Sequence, residues 1–215
     1  MLSTAILALS LAASPVRCTQ APQGSVTPRI PVASDSLPIL YSHGKTWGEF
    51  LEAAKSRRQT WLDNYENGVP AADQVARASA IPGRWRFLVV AEDWCGDSAN
   101  TIPYLVRLVE QVPTLELRII NSSVGGGVMQ SHQTEDGRGA TPTVVVLDEA
   151  GQERGCWVER PYALRKVVAD LKAGITTGNQ VEVITAWRAE DRGRSTVADI
   201  VDLVELVAAG TARCP

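Results

Sequence analysis

The sequence predicts an α/β domain in which a central mixed sheet is flanked by helices. The apolar segment 84–92 leads into a turn with Cys95, then a helical pattern and a second apolar segment, 115–120. A strand–helix–strand unit of this length implies a parallel pair with a right-handed crossover. Two further apolar segments, 143–147 and 153–158, are separated by a short polar turn and predict an antiparallel hairpin.

Composition excludes several classes of protein. The chain has 215 residues and a formal net charge of -3, without a basic stripe interleaved with aromatic residues, so nucleic-acid binding is not expected. No apolar run reaches the roughly 18 residues that a membrane-spanning helix needs. The four cysteines lie far apart, and the two histidines are His43 and His132. This spacing matches no zinc motif, so neither a metal nor a cofactor is expected.

The first forty residues read as export and linker sequence. Residues 5–13 are apolar and end in small residues, as in a signal peptide, so we expect a signal over 1–17. The segment 18–40 is rich in Pro, Ser and Thr and predicts a disordered linker. The chain would then be periplasmic or secreted, and a lipid anchor at Cys18 is an alternative. If the start codon is mis-assigned, the protein would instead be cytoplasmic.

Helical patterns precede the first strand. Thr46 with Glu49 three residues later predicts a capping box at a helix start. That helix should end at Asn67, and 70–80 should form a second, shorter one. Two aromatic residues four positions apart are expected to pack on the core rather than to form a binding surface: Trp61 and Tyr65.

The turn after the first strand carries the candidate reactive group. Cys95 lies at a helix N-terminus, where unpaired backbone N–H groups favour the thiolate form. Ser98 can donate a hydrogen bond to that thiolate, whereas the charges of Asp93 and Asp97 disfavour it. The alternative is that Cys95 is only a small apolar residue in a turn. Pro103 is expected either to bend the following helix or to set its start.

The second half of the chain gives weaker signals. Residues 121–140 predict a loop with one helical turn around 128–133, and their three consecutive glycines do not match a phosphate-binding loop. His132 is expected to be a solvated loop residue rather than a catalytic one. Near the C-terminus, Pro161 should open a helix. Ser195 or Thr196 should cap an amphipathic helix that ends near position 209.

The element order and two motifs resemble the thioredoxin-like superfamily over 84–171. The motifs are Trp94-Cys95-Gly96 at the helix start and Ala140-Thr141-Pro142 before a strand. The resemblance implies that Pro142 is cis and lies against the reactive cysteine, with Thr141 lining a substrate groove. It also implies substrate contacts from Trp94, Gly96 and Asp97. With the helices on both sides, the domain would span 41–209, followed by a tail over 210–215.

The sequence is similar, within that superfamily, to the branch with a Trp-Cys-Gly-Asp motif. Here that motif is 94–97, and the element 157–161 matches the branch's Trp-x-x-Arg-Pro element. The loop 137–142 resembles the branch's Gly-Arg-x-x-Pro loop but has one extra residue before the proline. A dithiol enzyme would have a second cysteine at the position of Ser98. Because a hydroxyl cannot resolve a mixed disulfide, the resemblance implies monothiol chemistry by Cys95, completed by an external thiol. The expected substrates are protein or low-molecular-weight thiols and disulfides.

Several alternatives remain open at this point. The fold could serve as a peptide-binding or scaffolding module without turnover. Residues 95–98 also superficially resemble the Cys-Gly-Phe-Ser motif of monothiol glutaredoxins, which carry iron–sulfur clusters, although Trp94 and Asp97 argue against that reading. Cys156 is expected to be a buried strand residue rather than a resolving thiol. Cys18 and Cys214 could pair with each other or approach Cys95.

Overall fold

The computed structural model describes residues 36–211 and Cys214. The predicted signal peptide over 1–17, and most of the predicted linker over 18–40, lie outside the described residues. The described part contains four strands and ten helices, which we number in chain order. In sequence order they are α1 (Leu37–Ser42), α2 (Trp47–Ala53), α3 (Arg58–Asn67), α4 (Ala72–Ala80), β1 (Trp85–Val90), α5 (Gly96–Ala99), α6 (Ile102–Val109), β2 (Leu115–Ile120), α7 (Ser122–Ser131), β3 (Thr143–Leu147), β4 (Glu153–Val158), α8 (Tyr162–Lys172), α9 (Gln180–Asp191) and α10 (Arg194–Ala208).

The four strands form one mixed sheet in the order β2-β1-β3-β4. Strand β1 runs parallel to β2 and antiparallel to β3, and β3 and β4 form the predicted hairpin. In the register, Val89 lies opposite Ile119 on one side and Val144 on the other. The prediction of a mixed α/β sheet flanked by helices, with additional helices at both ends, is therefore confirmed.

Both faces of the sheet are covered at β1, which explains why this strand is continuously apolar from Phe87 onward. Because successive side chains of a strand point to opposite faces, Phe87 and Val89 enter the larger core cluster, with Trp61. Leu88 and Val90 enter the smaller cluster on the other face. The covering helices fix the orientation of β1, and with it the position of the turn that follows.

Before β1, the first helix start and the end at Asn67 agree with the prediction. Thr46 and Glu49 form the capping box: each backbone N–H is paired with the other residue's side chain, at 2.7 and 3.3 Å. The single helix that was predicted from Thr46 to Asn67 is divided into α2 and α3, and α3 ends at Asn67 as predicted. Helix α1 begins at Leu37, before the expected domain boundary, and Leu37 is buried against the smaller core cluster.

The segment after β2 is where the sequence prediction is wrong. Instead of a loop, Ser122–Ser131 forms α7, whose first turn is capped by Asn121. The glycines that suggested a loop allow close packing: a Cβ at Gly125 would lie 2.7 Å from a methyl carbon of Val90. Local glycine propensity is thus outweighed by the packing of α7 on β1.

The C-terminal helices differ partly from the prediction. Helix α8 follows Pro161 as expected, but α9 has no predicted counterpart. Helix α10 begins after Gly193, which has φ 78° and leaves no room for a side chain beside the ring of Tyr104. The predicted capping by Ser195 or Thr196 is therefore wrong. Thr196 is buried, and Ser195 instead bonds the carboxylate of Asp191.

None of the helices among the described residues is both long enough and apolar enough to cross a membrane.

Candidate functional site

Cys95 lies in the turn between β1 and the two short helices that follow. It is the N-cap residue of α5. That helix ends at Ala99 with Asn100 as its C-cap, and α6 begins at Ile102. Pro103 occupies the first turn of α6, where its missing N–H leaves no hydrogen bond unmade. The proline thus sets the start of a new helix, which was one of its two predicted roles.

The sulfur of Cys95 lies between a backbone donor and a backbone carbonyl. The N–H of Ser98 donates to Sγ at 3.3 Å. On the other side, the carbonyl oxygen of Thr141 is 3.3 Å from Sγ. The Thr141–Pro142 peptide bond is cis, as the resemblance implied. Two segments 46 residues apart in sequence therefore meet at one sulfur atom, and Cys95 is buried there.

The side chain of Ser98 does not act as predicted. Its buried hydroxyl has no hydrogen-bond partner among the described residues, so it is the backbone N–H, not the hydroxyl, that contacts Cys95. The reason is the N-cap geometry: the third residue of a helix presents its N–H to the capping side chain.

The cysteines of the described region are all oxidised. Cys95, Cys156 and Cys214 are disulfide-bonded, and no described cysteine is free. Cys156 pairs with Cys214, with 4.7 Å between their Cα atoms. Cys156 is buried as predicted, but its expected role as a simple apolar residue is wrong. A Cys18–Cys214 pair is also excluded, and Cys18 lies outside the described residues.

The acidic neighbours of Cys95 are both engaged by other groups. The carboxylate of Asp97 accepts hydrogen bonds from Arg160 at 3.0 and 2.9 Å and another from Arg188. Asp93 accepts the backbone N–H groups of Lys55 and Ser56, at 2.6 and 3.0 Å. Two guanidinium groups therefore offset the charge of Asp97, which the sequence alone indicated as disfavouring the Cys95 thiolate.

Burial affects the two arginines in different ways. Desolvation and the neighbouring Arg160 and Arg57 charges lower the pKa of Arg188, although Asp97 acts in the opposite direction. Desolvation also opposes the charged form of Arg160, but Asp97 and Glu159 hold its pKa above the usual value. Both groups remain cationic at neutral pH, because an arginine titrates far above it.

A cavity of about 820 Å³ opens beside this ion pair. Its lining includes Gly96, adjacent to Cys95, and the single acidic residue Asp97. Four arginines also line it, and they come from three separate parts of the chain: Arg57 before α3, Arg160 after β4, and Arg188 with Arg192 at the end of α9. Sequence reasoning missed this pocket, because no local pattern indicates that these side chains converge.

The other predicted substrate-contacting residues differ in accessibility. Trp94 is 39% exposed, and its carbonyl accepts a 2.7 Å hydrogen bond from Nε of Arg57. Thr141 and Pro142 are buried, so their contribution to any groove is through the backbone. Gly96 is partly exposed and faces the arginine-lined cavity.

A second polar cluster surrounds His132. This residue was predicted to be solvated, but it is buried. Its Nδ1 lies 2.7 Å from the carbonyl oxygen of Val128, and its Nε2 lies 2.8 Å from a carboxylate oxygen of Glu153. Burial opposes the charged form, but the hydrogen bond and charge of Glu153 raise the pKa of His132 above its usual value. The sequence prediction failed because it placed His132 in a loop, whereas it is the C-cap of α7.

That histidine also lies beside the disulfide. The ligand-type atoms of His132, Cys156 and Cys214 lie within 4.8 Å of one another. Imidazole and thiolate are the donors that zinc prefers, so the composition of the cluster would suit such an ion. Thiolate is the ligand form, however, and both sulfurs are bonded to each other here.

Comparison with known proteins agrees with this fold. The family model described as thioredoxin matches residues 44–172. The 1.5 Å crystal structure of a protein of unknown function from Pseudomonas aeruginosa superposes with a TM-score of 0.61 and 24% identity, covering 77% of this chain and 95% of that one. An HIV epitope-scaffold structure gives a TM-score of 0.62 and 25% identity, covering 78% of this chain and 96% of that one. No curated protein matches the chain.

The family match covers more than half of the chain and includes the Cys95 turn, the cis-proline loop and all four strands. The chain belongs to the thioredoxin family.

Proposed function

We propose that the protein carries out thiol–disulfide exchange through Cys95 as its single nucleophile. The observation that carries the proposal is the position of the Cys95 sulfur, 3.3 Å from the Ser98 N–H and 3.3 Å from the Thr141 carbonyl. A backbone N–H directed at sulfur stabilises the thiolate, which is the attacking form. The Trp-Cys-Gly-Asp motif, resembling a monothiol branch of the family, supports the same proposal.

The chemistry requires Cys95 in its reduced form. The Cys95 thiolate attacks one sulfur of a substrate disulfide, a new Cys95–substrate S–S bond forms, and the other substrate thiolate leaves and takes up a proton. An external thiolate then attacks the mixed disulfide and regenerates Cys95. Oxidised and reduced sulfur balance in each step, so the overall reaction exchanges partners without net oxidation.

Ser98 is the reason why the helix that follows Cys95 supplies no second thiol. It occupies the position from which a second cysteine would attack the mixed disulfide, and a hydroxyl cannot do so. Cys156 and Cys214 are bonded to each other, which argues against either as a resolving thiol while that bond is intact. We therefore propose exchange or isomerisation rather than self-contained disulfide reduction.

The electrostatic surroundings support a stabilised thiolate. Arg160 and Arg188 offset the charge of Asp97, and Arg57 is held against the backbone of Trp94. Positive charge near a thiol lowers its pKa, and burial of the sulfur acts in the opposite direction. The Ser98 N–H and the arginines both act in favour of the charged form.

The test is exchange between two disulfide-linked peptides in the presence of a limiting external thiol. Reduced full-length protein should accelerate the reaction, and Cys95→Ser should abolish the acceleration. Cys214→Ser is the matched control and should retain it. If the Cys95→Ser protein accelerates exchange as well as the wild type does, the proposal is wrong.

A non-catalytic peptide-binding role is the second candidate. It is favoured by the exposure of Trp94, two residues before Gly96 in the cavity lining, since an exposed aromatic residue near a cavity can hold a ligand without chemistry. In this case the wild-type protein would bind a peptide but leave the exchange rate unchanged. The same affinity in Cys95→Ser would then identify a binding module.

We also propose that the protein is exported. The apolar residues 5–13 resemble a signal peptide, and the Cys156–Cys214 disulfide supports an oxidising compartment, where such bonds persist. Cell fractionation with an antibody to the mature chain tests this proposal. Recovery of the protein only in the cytosol would contradict it.

A further inference from the structure

We infer that the arginine-lined cavity beside Cys95 binds the carboxylates of a small, peptide-sized anionic disulfide. This inference rests on the proposed function and specifies its substrate class. The cavity is lined by four arginines and one aspartate, and it begins at Gly96, the residue next to the sulfur-bearing position. A ligand seated there would have its charged part in the cavity and its disulfide near Cys95.

Two of the arginines are oriented by Asp97. Arg160 donates to both carboxylate oxygens, and Arg188 donates to one of them. Their side chains are 17% and 21% exposed, so they are largely fixed before any ligand arrives. Arg160 also pairs with Glu159 at 3.2 Å, so two carboxylates face these two guanidinium groups. The contribution of the two arginines is that of preorganised donors, which lose little entropy on binding.

The other two arginines are held by backbone carbonyls instead of carboxylates. Nε of Arg57 donates to the Trp94 carbonyl at 2.7 Å, and Nη2 of Arg192 donates to the Asn67 carbonyl at 3.3 Å. Neither guanidinium forms an ion pair with a carboxylate among residues 36–211. Because a backbone carbonyl carries no net charge, the positive charge of both groups remains available to an anion.

The dimensions and lining fit a small molecule with several polar groups. A volume of about 820 Å³ lies within the range of small-ligand pockets and exceeds what a simple two-carbon disulfide would fill. Val181 and Ile184 of α9 add apolar side chains to the lining of the same cavity. Guanidinium groups match the planar geometry of carboxylates, so a carboxylate-bearing peptide disulfide is the ligand class that we assign.

The first experiment compares two probes of matched size. Glutathione disulfide carries four carboxylates, and its tetraethyl ester has all four masked. Reduced full-length protein is mixed with each probe, and mixed-disulfide formation at Cys95 is followed by mass spectrometry. Each rate is divided by the rate at which the same probe reacts with free 2-mercaptoethanol. We expect the normalised rate to be about tenfold higher for the anionic probe at low ionic strength, with the advantage shrinking as salt is added.

Variants locate the effect. Arg57→Gln and Arg192→Gln should each reduce the anion-to-ester rate ratio severalfold. Arg84→Gln is the matched control, because this arginine pairs with Glu116 at the opposite end of β1. It should leave the ratio unchanged. Equal normalised rates for the two probes, or a ratio that neither pocket variant lowers, would overturn the inference while leaving exchange by Cys95 intact.

Failure of the proposed function would look different. In that case neither probe would form a mixed disulfide faster than a simple thiol does. The pocket is then tested by calorimetric titration with S-methylglutathione, which has carboxylates but no reactive sulfur. Binding that is weakened by Arg192→Gln but not by Arg84→Gln would sustain the anion site, and the absence of binding would overturn it.

Discussion

The guanidinium of Arg160 donates two hydrogen bonds to the carboxylate of Asp97, at 3.0 and 2.9 Å, two residues after Cys95. This bidentate pair joins the segment after β4 to the helix start that carries the cysteine. It also places the positive charge of Arg160 against the carboxylate of Asp97, two residues from the sulfur-bearing position. Arg188 adds a third donor from α9, so three elements meet at one carboxylate.

Removing that carboxylate should destabilise the fold. Asp97→Asn leaves Arg188 without its counter-ion and Arg160 with Glu159 alone. Partial exposure of the arginines moderates the penalty, so we expect a loss of about 2 kcal/mol of unfolding free energy. Asp202→Asn is the control, since its pair with Arg77 is exposed and should be worth less than about 1 kcal/mol. Urea unfolding measures both, and equal losses would contradict a special role for Asp97.

Restoring a second thiol should change the chemistry. In Ser98→Cys the new thiol can attack a mixed disulfide at Cys95, so reduction of insulin disulfides by a coupled dithiol should rise at least about tenfold. Ser98→Ala introduces no thiol and serves as the control. Turbidity from precipitating insulin chains measures the rate. If the two variants have the same rate, the geometry around position 98 does not support resolution.

Adjacent glycines in α7 should respond in opposite directions to alanine. A Cβ at Gly125 would lie 2.7 and 2.8 Å from the two methyl carbons of Val90, so Gly125→Ala should lose about 1–3 kcal/mol of stability. A Cβ at Gly126 would meet nothing within 4 Å, so Gly126→Ala should gain roughly 0.5–1 kcal/mol from helix propensity. Thermal unfolding of both variants checks this, and a shared sign would show that α7 does not pack on β1 as described.

The Cys156–Cys214 bond should stabilise the chain measurably. It closes a loop between residues 58 positions apart, and such cross-links contribute about 2–4 kcal/mol through the unfolded state. Cys214→Ser should therefore be less stable than the wild type without reductant. With reductant present the two proteins should unfold at the same urea concentration. A difference that persists in reductant would point to a role of Cys214 other than the disulfide.

The His132–Glu153 pair should make stability depend on pH. Glu153 raises the pKa of His132 in the folded state, so the contribution is fully present below the unfolded value of about 6.5. It is lost as the pH rises through the folded pKa. The stability difference between wild type and His132→Gln should thus be larger at pH 6 than at pH 9. Glu153→Gln should weaken the same dependence, and a difference that grows with pH would contradict the assigned direction.

Most of the fold follows from local patterns in the sequence. The strands were predictable because burial on both faces leaves 87–90 and 144–147 entirely apolar, and Thr46 with Glu49 marks a helix start by its spacing. Helix α7 was not predictable in this way. The propensity of its glycines opposes a helix, and the reason for them is the distant side chain of Val90.

The site was only partly predictable for a similar reason. Cys95 and Pro142 carry motif signals, and the structure brings their segments together. The partners of Asp97 lie 63 and 91 residues away from it, and no pattern of spacing indicates that contact. Likewise, Cys156 and Cys214 had several possible connectivities, which tertiary structure alone resolves.

The most direct test of Cys95 as the nucleophile is peptide-mapped mass spectrometry of the fully reduced, full-length protein. The protein is exposed briefly at pH 7 to one equivalent of a small disulfide and then quenched with acid. We expect the mixed disulfide to form on Cys95 ahead of Cys214, although Cys214 is the more exposed of these two residues. If Cys214 reacts first and Cys95 remains unmodified, reactivity is set by solvent accessibility, and the central claim is contradicted.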